Sequence, residues 1–388
     1  MKLVTGLAQV VQNPAILSDY RRLGLLYNQA SIDGRFRESA DILAEIFRER
    51  LTTLFGPQHG VGLTEQDNMR ETDHARHRRL GLPVYSLYSS TRRPTTEMLA
   101  NVDAVLVDLQ DVGTRVYTFC ATVCLLMEAC AGLGKKVIIL DRPNPVNGIN
   151  VEGNILKPEF SSFVGPYPLP MRHGMTLGEL VNYYNETFSI GCEVTVVEME
   201  GWDRRAYFDE TDLPWALPSP NMPTVETAVV YPGQVLFEGV NLSEGRGTTR
   251  PFEIFGAPFI NPEAILRDLE QMAIEGAELR IIEFRPSFNK WANQHCLGFQ
   301  IHVTDRTRYR PYRVSLAILS AIIRNCPEFR WSDPPYEYVF DKLPIDVIIG
   351  DDSVRSSLED GRSVFEIEEN YRPELETFLQ IRKDFLLY

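Results

Sequence analysis

The sequence predicts an α/β protein in which a doubly wound, mainly parallel sheet precedes a second, smaller α+β domain. Two patterns predict this class. Short runs rich in Val, Ile and Leu alternate with amphipathic helical segments over the first half of the chain. Several of these runs are apolar without interruption, as is typical of strands that helices cover on both faces. The alternation therefore indicates parallel strands joined by crossover helices.

The predicted elements of the first half follow one another in order along the chain. Apolar runs predict strands at 22–27, 51–55, 83–87, 103–109, 136–141 and 193–199. Helical patterns predict helices at 38–50, 116–133 and 176–188. Thr176 and Glu179 have the spacing of a capping box, so we expect the third helix to begin there.

A stretch with five prolines, at 213–235, ends this alternation. Beyond it we expect a glycine-rich loop at 239–250, followed by a mixture of helices and strands. The helices are predicted near 262–274, 311–325 and 363–385, and the strands near 279–284 and 298–304. We therefore predict a first domain over residues 1–226 and a second over residues 227–388.

Composition and charge exclude several classes of partner. The net charge is −14, so the chain has no basic excess with which to bind nucleic-acid or lipid phosphates. The most apolar run, 116–127, contains threonines and stops at Glu128, which makes it too short to cross a bilayer. The first residues lack the pattern of a signal peptide. We expect a cytoplasmic protein that binds neither nucleic acid nor membrane, and its oligomeric state stays open.

Polar side chains follow four of the predicted strands. They are Asn28 and Gln29, then Gln58 and His59, then Gln110, Asp111 and Arg115, and finally Asp141, Arg142 and Asn144. Ligands of open α/β sheets bind outside the carboxyl ends of the strands, so we expect these side chains to line one crevice suited to a carbohydrate. The sequence contains neither GxGxxG after a first strand nor GxxxxGK[ST], and it therefore predicts no nucleotide cofactor.

The stretch FGPQHGVGLTEQDNMRETDHARH, at 55–77, follows a predicted strand and is rich in carboxylates. Glycoside hydrolysis generally needs two carboxyl groups, one protonated and one ionised. Glu65, Asp67 and Glu71 are therefore candidates for an acid/base centre.

The same stretch allows two other interpretations. His59, His74 and His77 are candidate metal ligands, although the positive charges of neighbouring arginines oppose a cation. Alternatively the segment is a solvent-exposed loop whose acids are balanced by Arg70 and Arg76.

A second polar loop has the sequence NLSEGRGTTRPFE, at 241–253. It combines Glu244, Arg246 and Arg250 with flexible glycines, and guanidinium groups bind anionic or polyhydroxyl ligands well. His173 precedes a predicted helix whose N–H groups can hold an anion, and both a structural and a ligand-binding role are open for it.

Seven sequence strings between residues 82 and 259 together resemble one protein family. They are LPVYSLY, DLQDVGTRVYTF, LDRPNPVNG, RHGMTLGEL, PSPNMPT, EGVNLSEGRGTTRPFE and GAPF. In this order they are similar to the NamZ-like exo-β-N-acetylmuramidases. The resemblance implies a Rossmann-like N-terminal domain and a smaller C-terminal domain with the active-site cleft between them. It also implies hydrolytic release of N-acetylmuramic acid from the non-reducing end of peptidoglycan fragments, without a redox cofactor.

The chain departs from this family at one functional position. The resemblance implies a catalytic glutamate in a Pro-Glu-His-Gly motif, followed by Ala-Gly-Glu. Here the first motif reads PQHG, with Gln58 in place of the glutamate, and the second is replaced by EQDNM. A side-chain amide neither donates nor accepts a catalytic proton at neutral pH.

Three functions are consistent with these observations. The first is a glycosidase acting on N-acetylmuramic acid or a related amino-sugar glycoside, with Glu65 or Glu71 as general acid and His59 orienting the ligand. The second is a sugar-binding protein that has lost hydrolysis, for which Gln58 is the reason. The third is a metal-assisted hydrolase that uses the three histidines of the 55–77 stretch.

The leading interpretation predicts a small sugar as partner, with no cofactor and no metal. Its candidate catalytic residues are Glu65, Glu71, His59 and Asp111. Its candidate substrate-binding residues are Gln58, Asp67, Arg115, Asp141, Arg142, Asn144, His173, Asn221, Glu244, Arg246 and Arg250. Among these, Arg246 or Arg250 is suited to hold the lactyl carboxylate of a muramic acid.

Overall fold

The computed structural model describes residues 3–67, 69–272 and 274–388. Its first part contains strands at each predicted position. The strands are β1 (Leu23–Tyr27), β2 (Leu51–Gly56), β3 (Ala75–Arg76), β4 (Pro83–Ser86), β5 (Ala104–Asp108), β6 (Lys136–Leu140), β7 (Glu152–Ile155), β8 (Pro170–Arg172) and β9 (Glu193–Val197). The helices are α1 (Gly6–Gln12), α2 (Ser39–Phe47), α3 (Thr96–Leu99), α4 (Phe119–Ala131) and α5 (Leu177–Thr187).

The main sheet of the described residues has seven strands in the order β3-β4-β2-β1-β5-β6-β9. All neighbours pair in parallel except β3 and β4, which form an antiparallel edge. Every residue of β1 and β5 is buried, because helices cover both faces of the sheet. The predicted fold class is confirmed.

Helices on the two faces of this sheet belong to different hydrophobic clusters. Leu25 of β1 packs in one cluster with Leu43 of α2, whereas Val107 of β5 packs in the other with Val123 of α4. Helix α4 is buried along most of its length, as its apolar sequence predicts. None of the helices in residues 3–67, 69–272 and 274–388 combines the length and apolarity needed to span a bilayer.

The second part of the chain mixes helices with a small antiparallel sheet of order β10-β12-β11, which confirms the predicted α+β class. Its strands are β10 (Ile254–Ala257), β11 (Ala277–Phe284) and β12 (Cys296–Val303). Its helices are α6 (Val225–Gln234), α7 (Pro262–Gln271), α8 (Pro311–Asn325), α9 (Pro344–Ile349), α10 (Asp352–Glu359) and α11 (Val364–Arg382). Short 3₁₀ turns lie at Pro14–Leu17, Arg48–Arg50, Pro158–Phe160, Phe208–Glu210, Val235–Gly239 and Lys383–Phe385.

The proline-rich stretch at 213–235 is more regular than its composition indicates. It contains helix α6, which begins where the hydroxyl of Thr224 accepts a hydrogen bond from the N–H of Thr227. Pro232 lies inside this helix. Val229 of α6 and Ile318 of α8 belong to the same hydrophobic cluster as Val107 of β5. The two parts of the chain therefore share a continuous core.

Arg115 connects the two parts directly. Its side chain was predicted to bind substrate, but it is fully buried and its guanidinium donates to backbone carbonyls. Nη1 contacts the carbonyl oxygen of Leu169 at 2.7 Å, and Nη2 contacts those of Ile348 and Ile349 at 2.9 and 2.5 Å. The last two carbonyls lie at the end of α9, where they have no partner within the helix. Burial lowers the pKa of Arg115 to about 10, so the guanidinium stays charged at neutral pH.

Replacing this side chain should weaken the whole fold. We expect Arg115→Met to lower the free energy of unfolding by at least about 3 kcal/mol, since the buried carbonyl oxygens of Asn154 and Ile348 would lose this charged donor and those of Leu169 and Ile349 would keep only one donor each. Urea unfolding of the full chain measures this. Arg372→Met is the control, because Arg372 is exposed and pairs with Glu369 on the surface. Equal stability of the two variants would contradict the assigned role of Arg115.

Candidate active site

A small cavity lies where the carboxyl end of β2 meets the second part of the chain. We call it the central cavity. Its lining comes from the turns after β2 and β5, from α6 and the segments before and after it, and from residues 164 and 336–337. Its polar side chains include Gln58, His59, Asn221, Glu238, Arg246 and Glu337. The cavity therefore lies at the predicted edge of the sheet, and the second part closes it.

Gln58 joins the two parts of the chain at this cavity. Its Oε1 accepts a hydrogen bond from the hydroxyl of Thr118 at 2.6 Å. Its Nε2 donates to Oε1 of Glu337 at 3.3 Å. The other carboxyl oxygen of Glu337 accepts from the hydroxyl of Tyr88 at 2.6 Å. Because these side chains are buried, both carboxyl oxygens are held in fixed positions.

Glu337 is an unusual carboxylic acid in both backbone and environment. Its φ is 43° and that of Tyr338 is 66°, a left-handed conformation that non-glycine residues rarely adopt. Burial raises the pKa of Glu337 and the nearby Glu238 raises it further, while the hydrogen bonds from Tyr88 and Gln58 oppose the shift. Glu337 therefore retains its proton to a higher pH than an ordinary glutamate.

Glu238, the second acid of the cavity, lies in a different environment. One oxygen accepts from Nη2 of Arg246 at 2.8 Å and the other from the hydroxyl of Tyr336 at 2.6 Å. Arg246 also contacts Glu244 at 3.2 Å, and Lys290 contacts the other oxygen of Glu244 at 3.0 Å. Although burial opposes it, Lys290 and Arg246 hold the pKa of Glu244 below its ordinary value. Glu238 is thus part of a buried network of alternating charges.

His59 contributes a neutral imidazole. Its Nδ1 lies 2.6 Å from the carbonyl oxygen of Glu65, which assigns the ring proton to Nδ1 and leaves Nε2 as the acceptor. Burial lowers the pKa of His59 to about 4, and the charge of Arg246 acts in the same direction. The backbone of His59 is also left-handed, with φ of 68°.

The acids of the 55–77 stretch lie outside the central cavity. Glu65 and Glu71 line an open groove on the outer side of the loop. Glu71 is exposed and pairs with Arg92 at 3.0 Å. Asp67 accepts a hydrogen bond from Nδ2 of Asn289 at 3.1 Å. A catalytic role for Glu65 or Glu71 stays a prediction.

The structure places three polar residues that follow β6 inside the protein. Asp141 accepts hydrogen bonds from Thr176, Gly178 and Tyr388 at 2.7, 2.9 and 2.8 Å. The guanidinium of Arg142 pairs with Asp108, and Asn144 donates to the carbonyl oxygen of Met175 at 3.0 Å. These side chains hold neighbouring loops together and do not reach the cavity.

Asp111 and His173 form a separate buried pair. Oδ2 of Asp111 accepts from the N–H of Gly113 at 2.7 Å and lies 3.6 Å from Nε2 of His173. Nδ1 of His173 accepts from the N–H of Met175 at 3.2 Å. Within the described residues Oδ1 of Asp111 has no hydrogen-bond partner. Neither residue lines the central cavity.

Two further predicted binding residues have different positions. Asn221 lines the central cavity and donates to the carbonyl oxygen of Gln66 at 2.9 Å. Arg250 is half exposed, pairs with Glu253 at 3.2 Å and lines another groove. Of the two arginines suited to a lactyl carboxylate, the structure therefore brings Arg246 to the cavity.

The histidines of the 55–77 stretch do not converge. Nδ1 of His74 accepts from the N–H of Ser86 at 3.1 Å, and Nδ1 of His77 accepts from that of Leu80 at 3.1 Å. Over residues 3–67, 69–272 and 274–388, no three His, Cys, Asp or Glu side chains come together as metal ligands. The metal-dependent interpretation has no site in this part of the chain.

Sequence reasoning missed the acids that line the cavity. Glu238 lies within one of the strings that resemble the family, beside the predicted Glu244 and Arg246. Glu337 lies in the segment PPYEYVF, where neighbouring prolines and aromatic residues are the only local signal. Its contact with Gln58 spans 279 residues of sequence.

The neutral state of His59 predicts a pH dependence of stability. In the unfolded chain His59 takes up a proton near its ordinary pKa of 6.5, but in the folded protein only near a pKa of about 4. Between these values unfolding binds a proton, so His59 lowers the free energy of unfolding as the pH falls from 6.5 to about 4. We expect His59→Gln to remove this contribution. Denaturant unfolding at several pH values measures it, with His302→Gln at an exposed position as control. An unchanged slope in His59→Gln would refute the assignment.

Sequence and structure comparisons with known proteins point to the same family. The sequence model of the N-terminal domain of exo-β-N-acetylmuramidase NamZ matches residues 23–226, and that of the C-terminal domain matches residues 229–388. The peptidoglycan β-N-acetylmuramidase NamZ of Bacillus subtilis strain 168 is 43% identical over 383 residues, which cover 96% of this chain and 90% of the relative.

Two crystal structures of DUF1343 family proteins from Bacteroides fragilis NCTC 9343 have the same fold. Their TM-scores are 0.88 and 0.77, each at 29% identity and each covering 100% of this chain and 99% of the other. Both halves of the sequence and the whole of the fold therefore agree, and the chain belongs to the exo-β-N-acetylmuramidase NamZ family.

Proposed function

We propose that this protein is an exo-acting glycoside hydrolase that releases N-acetylmuramic acid from peptidoglycan fragments. The observation that carries the proposal is the match of both NamZ domain models, which together cover residues 23–226 and 229–388. The 43% identity with a β-N-acetylmuramidase over nearly the full length supports the same activity. The central cavity provides two carboxyl groups, as glycoside hydrolysis requires.

The cavity also matches the chemistry of the sugar. N-acetylmuramic acid carries a lactyl carboxylate, and Arg246 is the buried guanidinium of the lining. His59 and Asn221 provide neutral polar groups for hydroxyl or acetamido oxygens. Tyr231 and Phe252 add aromatic surface on which a pyranose ring can pack. These residues supply positioning, and the two glutamates supply the proton and the negative charge.

Binding of the sugar requires the rim of the cavity to move. In the present arrangement the cavity measures about 40 Å³, enough for a few water molecules but too small for a sugar ring. Tyr336 and Glu337 close one side, and they lie in a short segment rather than in a helix or strand. We expect this segment to open for entry of the sugar and to close again over it, which returns Glu337 to its contacts with Gln58 and Tyr88.

Gln58 supports a second candidate function, a sugar-binding protein without hydrolysis. The resemblance implies an acid at this position, and here the amide makes two hydrogen bonds to protein groups. Such a protein would bind N-acetylmuramic acid and release none from its glycosides.

Incubation of the purified full chain with chromogenic glycosides decides between the two functions. We expect release of the chromophore from the β-N-acetylmuramide and much slower release from the β-N-acetylglucosaminide, which lacks the lactyl carboxylate. Thermal stabilisation by N-acetylmuramic acid with no release from any glycoside would refute hydrolysis and support the binding function. Absence of both would refute both functions.

Two sequence predictions stay proposals beside this function. One is the division of the chain at 226/227, which limited proteolysis tests. The other is a cytoplasmic location, which fractionation of cells against a cytoplasmic marker enzyme tests.

A further inference from the structure

We propose that Glu337 is the general acid of this enzyme. Gln58, at the position of the family's implied glutamate, cannot supply a proton, and Glu337 supplies it instead. The inference rests on the glycosidase activity proposed above. It assigns a catalytic role to a residue of the second part of the chain, whereas the sequence placed the acid in the 55–77 stretch.

The position of Glu337 between two spaces is the first argument. On one side it lines the central cavity. On the other it lines an open groove of about 660 Å³, whose walls include Arg92, Phe163, Tyr167 and Tyr338. Within the described residues, Glu337 is the one side chain that lines both spaces. The acid of an exo-glycosidase must reach the glycosidic oxygen, which lies between the released sugar and the rest of the substrate.

The position of Glu337 indicates which part of the substrate each of the two spaces binds. The central cavity takes the N-acetylmuramic acid that is released, and the open groove takes the remainder of the fragment. The groove is rich in aromatic side chains, which suit the faces of a second sugar. Arg92 is ordered there between the rings of Tyr88 and Tyr338, at 4.4 and 4.2 Å from their centres.

The contact with Gln58 is the second argument. Nε2 of Gln58 lies 3.3 Å from Oε1 of Glu337, so the carboxyl group of residue 337 lies beside the position of the implied family acid. A glutamate at position 58 would place two carboxyl groups in direct contact, and such a pair cannot ionise independently. Gln58 avoids that repulsion and donates a hydrogen bond that orients Glu337. The amide is therefore a positioning residue for the acid.

The environments of the two cavity acids are the third argument. Glu337 accepts hydrogen bonds from the neutral groups of Tyr88 and Gln58, whereas Glu238 is paired with the charge of Arg246. Two carboxyl groups in such unlike surroundings divide into one acid and one carboxylate. The charged and titratable groups that face Glu337 are Tyr88, Arg92, Tyr231, Glu238 and Tyr336, with His59 and Arg246 across the cavity.

The chemical step transfers one proton and breaks one bond. The carboxyl proton of Glu337 moves to the glycosidic oxygen while the bond from this oxygen to the anomeric carbon breaks, and the bonding electrons stay on the oxygen. The departing group leaves as an alcohol, and Glu238 stabilises the positive charge that develops on the sugar ring. The hydroxyl of a water molecule then bonds to the anomeric carbon, and the proton that it releases restores the carboxyl group of Glu337.

Leaving-group dependence tests this assignment. Two substrates are compared in the full chain: the natural disaccharide of N-acetylmuramic acid and N-acetylglucosamine, and dinitrophenyl β-N-acetylmuramide, whose leaving group needs no proton. We expect Glu337→Gln to lower kcat for the disaccharide by about 10²–10⁴-fold and to leave that for the dinitrophenyl glycoside within about tenfold of the wild type. Glu270→Gln, at an exposed position of α7, is the matched control and should leave both rates unchanged.

Other results of the leaving-group experiment would contradict the assignment of Glu337 or the proposed function. Equal losses on both substrates, or no loss, in folded Glu337→Gln would overturn the assignment. Selective loss on the disaccharide in Glu65→Gln or Glu71→Gln, instead of Glu337→Gln, would place the acid in the 55–77 stretch. Wild-type protein that hydrolyses neither substrate would refute the proposed function itself, and the two failures are thereby distinguishable.

Tyr88→Phe provides a second test that keeps the carboxyl group. The hydroxyl of Tyr88 lowers the pKa of Glu337 by donating to it, so its removal should raise that pKa. We expect the basic limb of the kcat/KM profile for the disaccharide to move to higher pH in Tyr88→Phe, while the profile for the dinitrophenyl glycoside stays in place. A merely structural role of Tyr88 would lower both profiles without moving the limb, and that result would overturn the proposal.

Discussion

The arrangement of the site depends on one buried guanidinium. Arg115 follows the β5 strand of the parallel sheet and donates to the carbonyl oxygens of Ile348 and Ile349 at the end of α9. The segment that carries Tyr336 and Glu337 precedes this helix by a few residues. By holding the end of α9 against the first part of the chain, Arg115 contributes to placing that segment beside the turn after β2. The shared hydrophobic core supplies most of the cohesion between the two parts, but it is non-directional, and the directed hydrogen bonds of Arg115 set the register.

The sequence predicts the edge of the sheet at which the site lies, because that edge follows from the parallel order of the strands. Gln58 and His59 were found by this rule. The same rule also selects Asp141, Arg142 and Asn144, whose hydrogen bonds go to other protein groups. Composition alone does not distinguish a polar side chain that faces a ligand from one that joins two loops. Helix α6 was missed because four prolines precede it closely, as in a linker, and because Pro232 lies inside it, where a proline removes one backbone hydrogen bond.

Glu337 is beyond the reach of local pattern reasoning for a physical reason. It is separated from Gln58 by 279 positions along the sequence, and no periodicity or spacing encodes that contact. The structure changes the meaning of Gln58 accordingly. Considered alone, an amide in place of an acid indicates a lost activity. Beside a buried carboxyl group to which it donates, the same amide is a partner that keeps the acid oriented.

The walls of the central cavity come from sequence positions that are far apart, and this has a consequence for the protein during its synthesis. Tyr336 and Glu337 are synthesised after the last strand of the main sheet, and α9 is synthesised later still. A chain that stops before residue 336 therefore lacks one wall of the cavity. Because Glu337 would be absent from such a chain, we expect it to cleave no cell-wall sugar, even if its main sheet were complete.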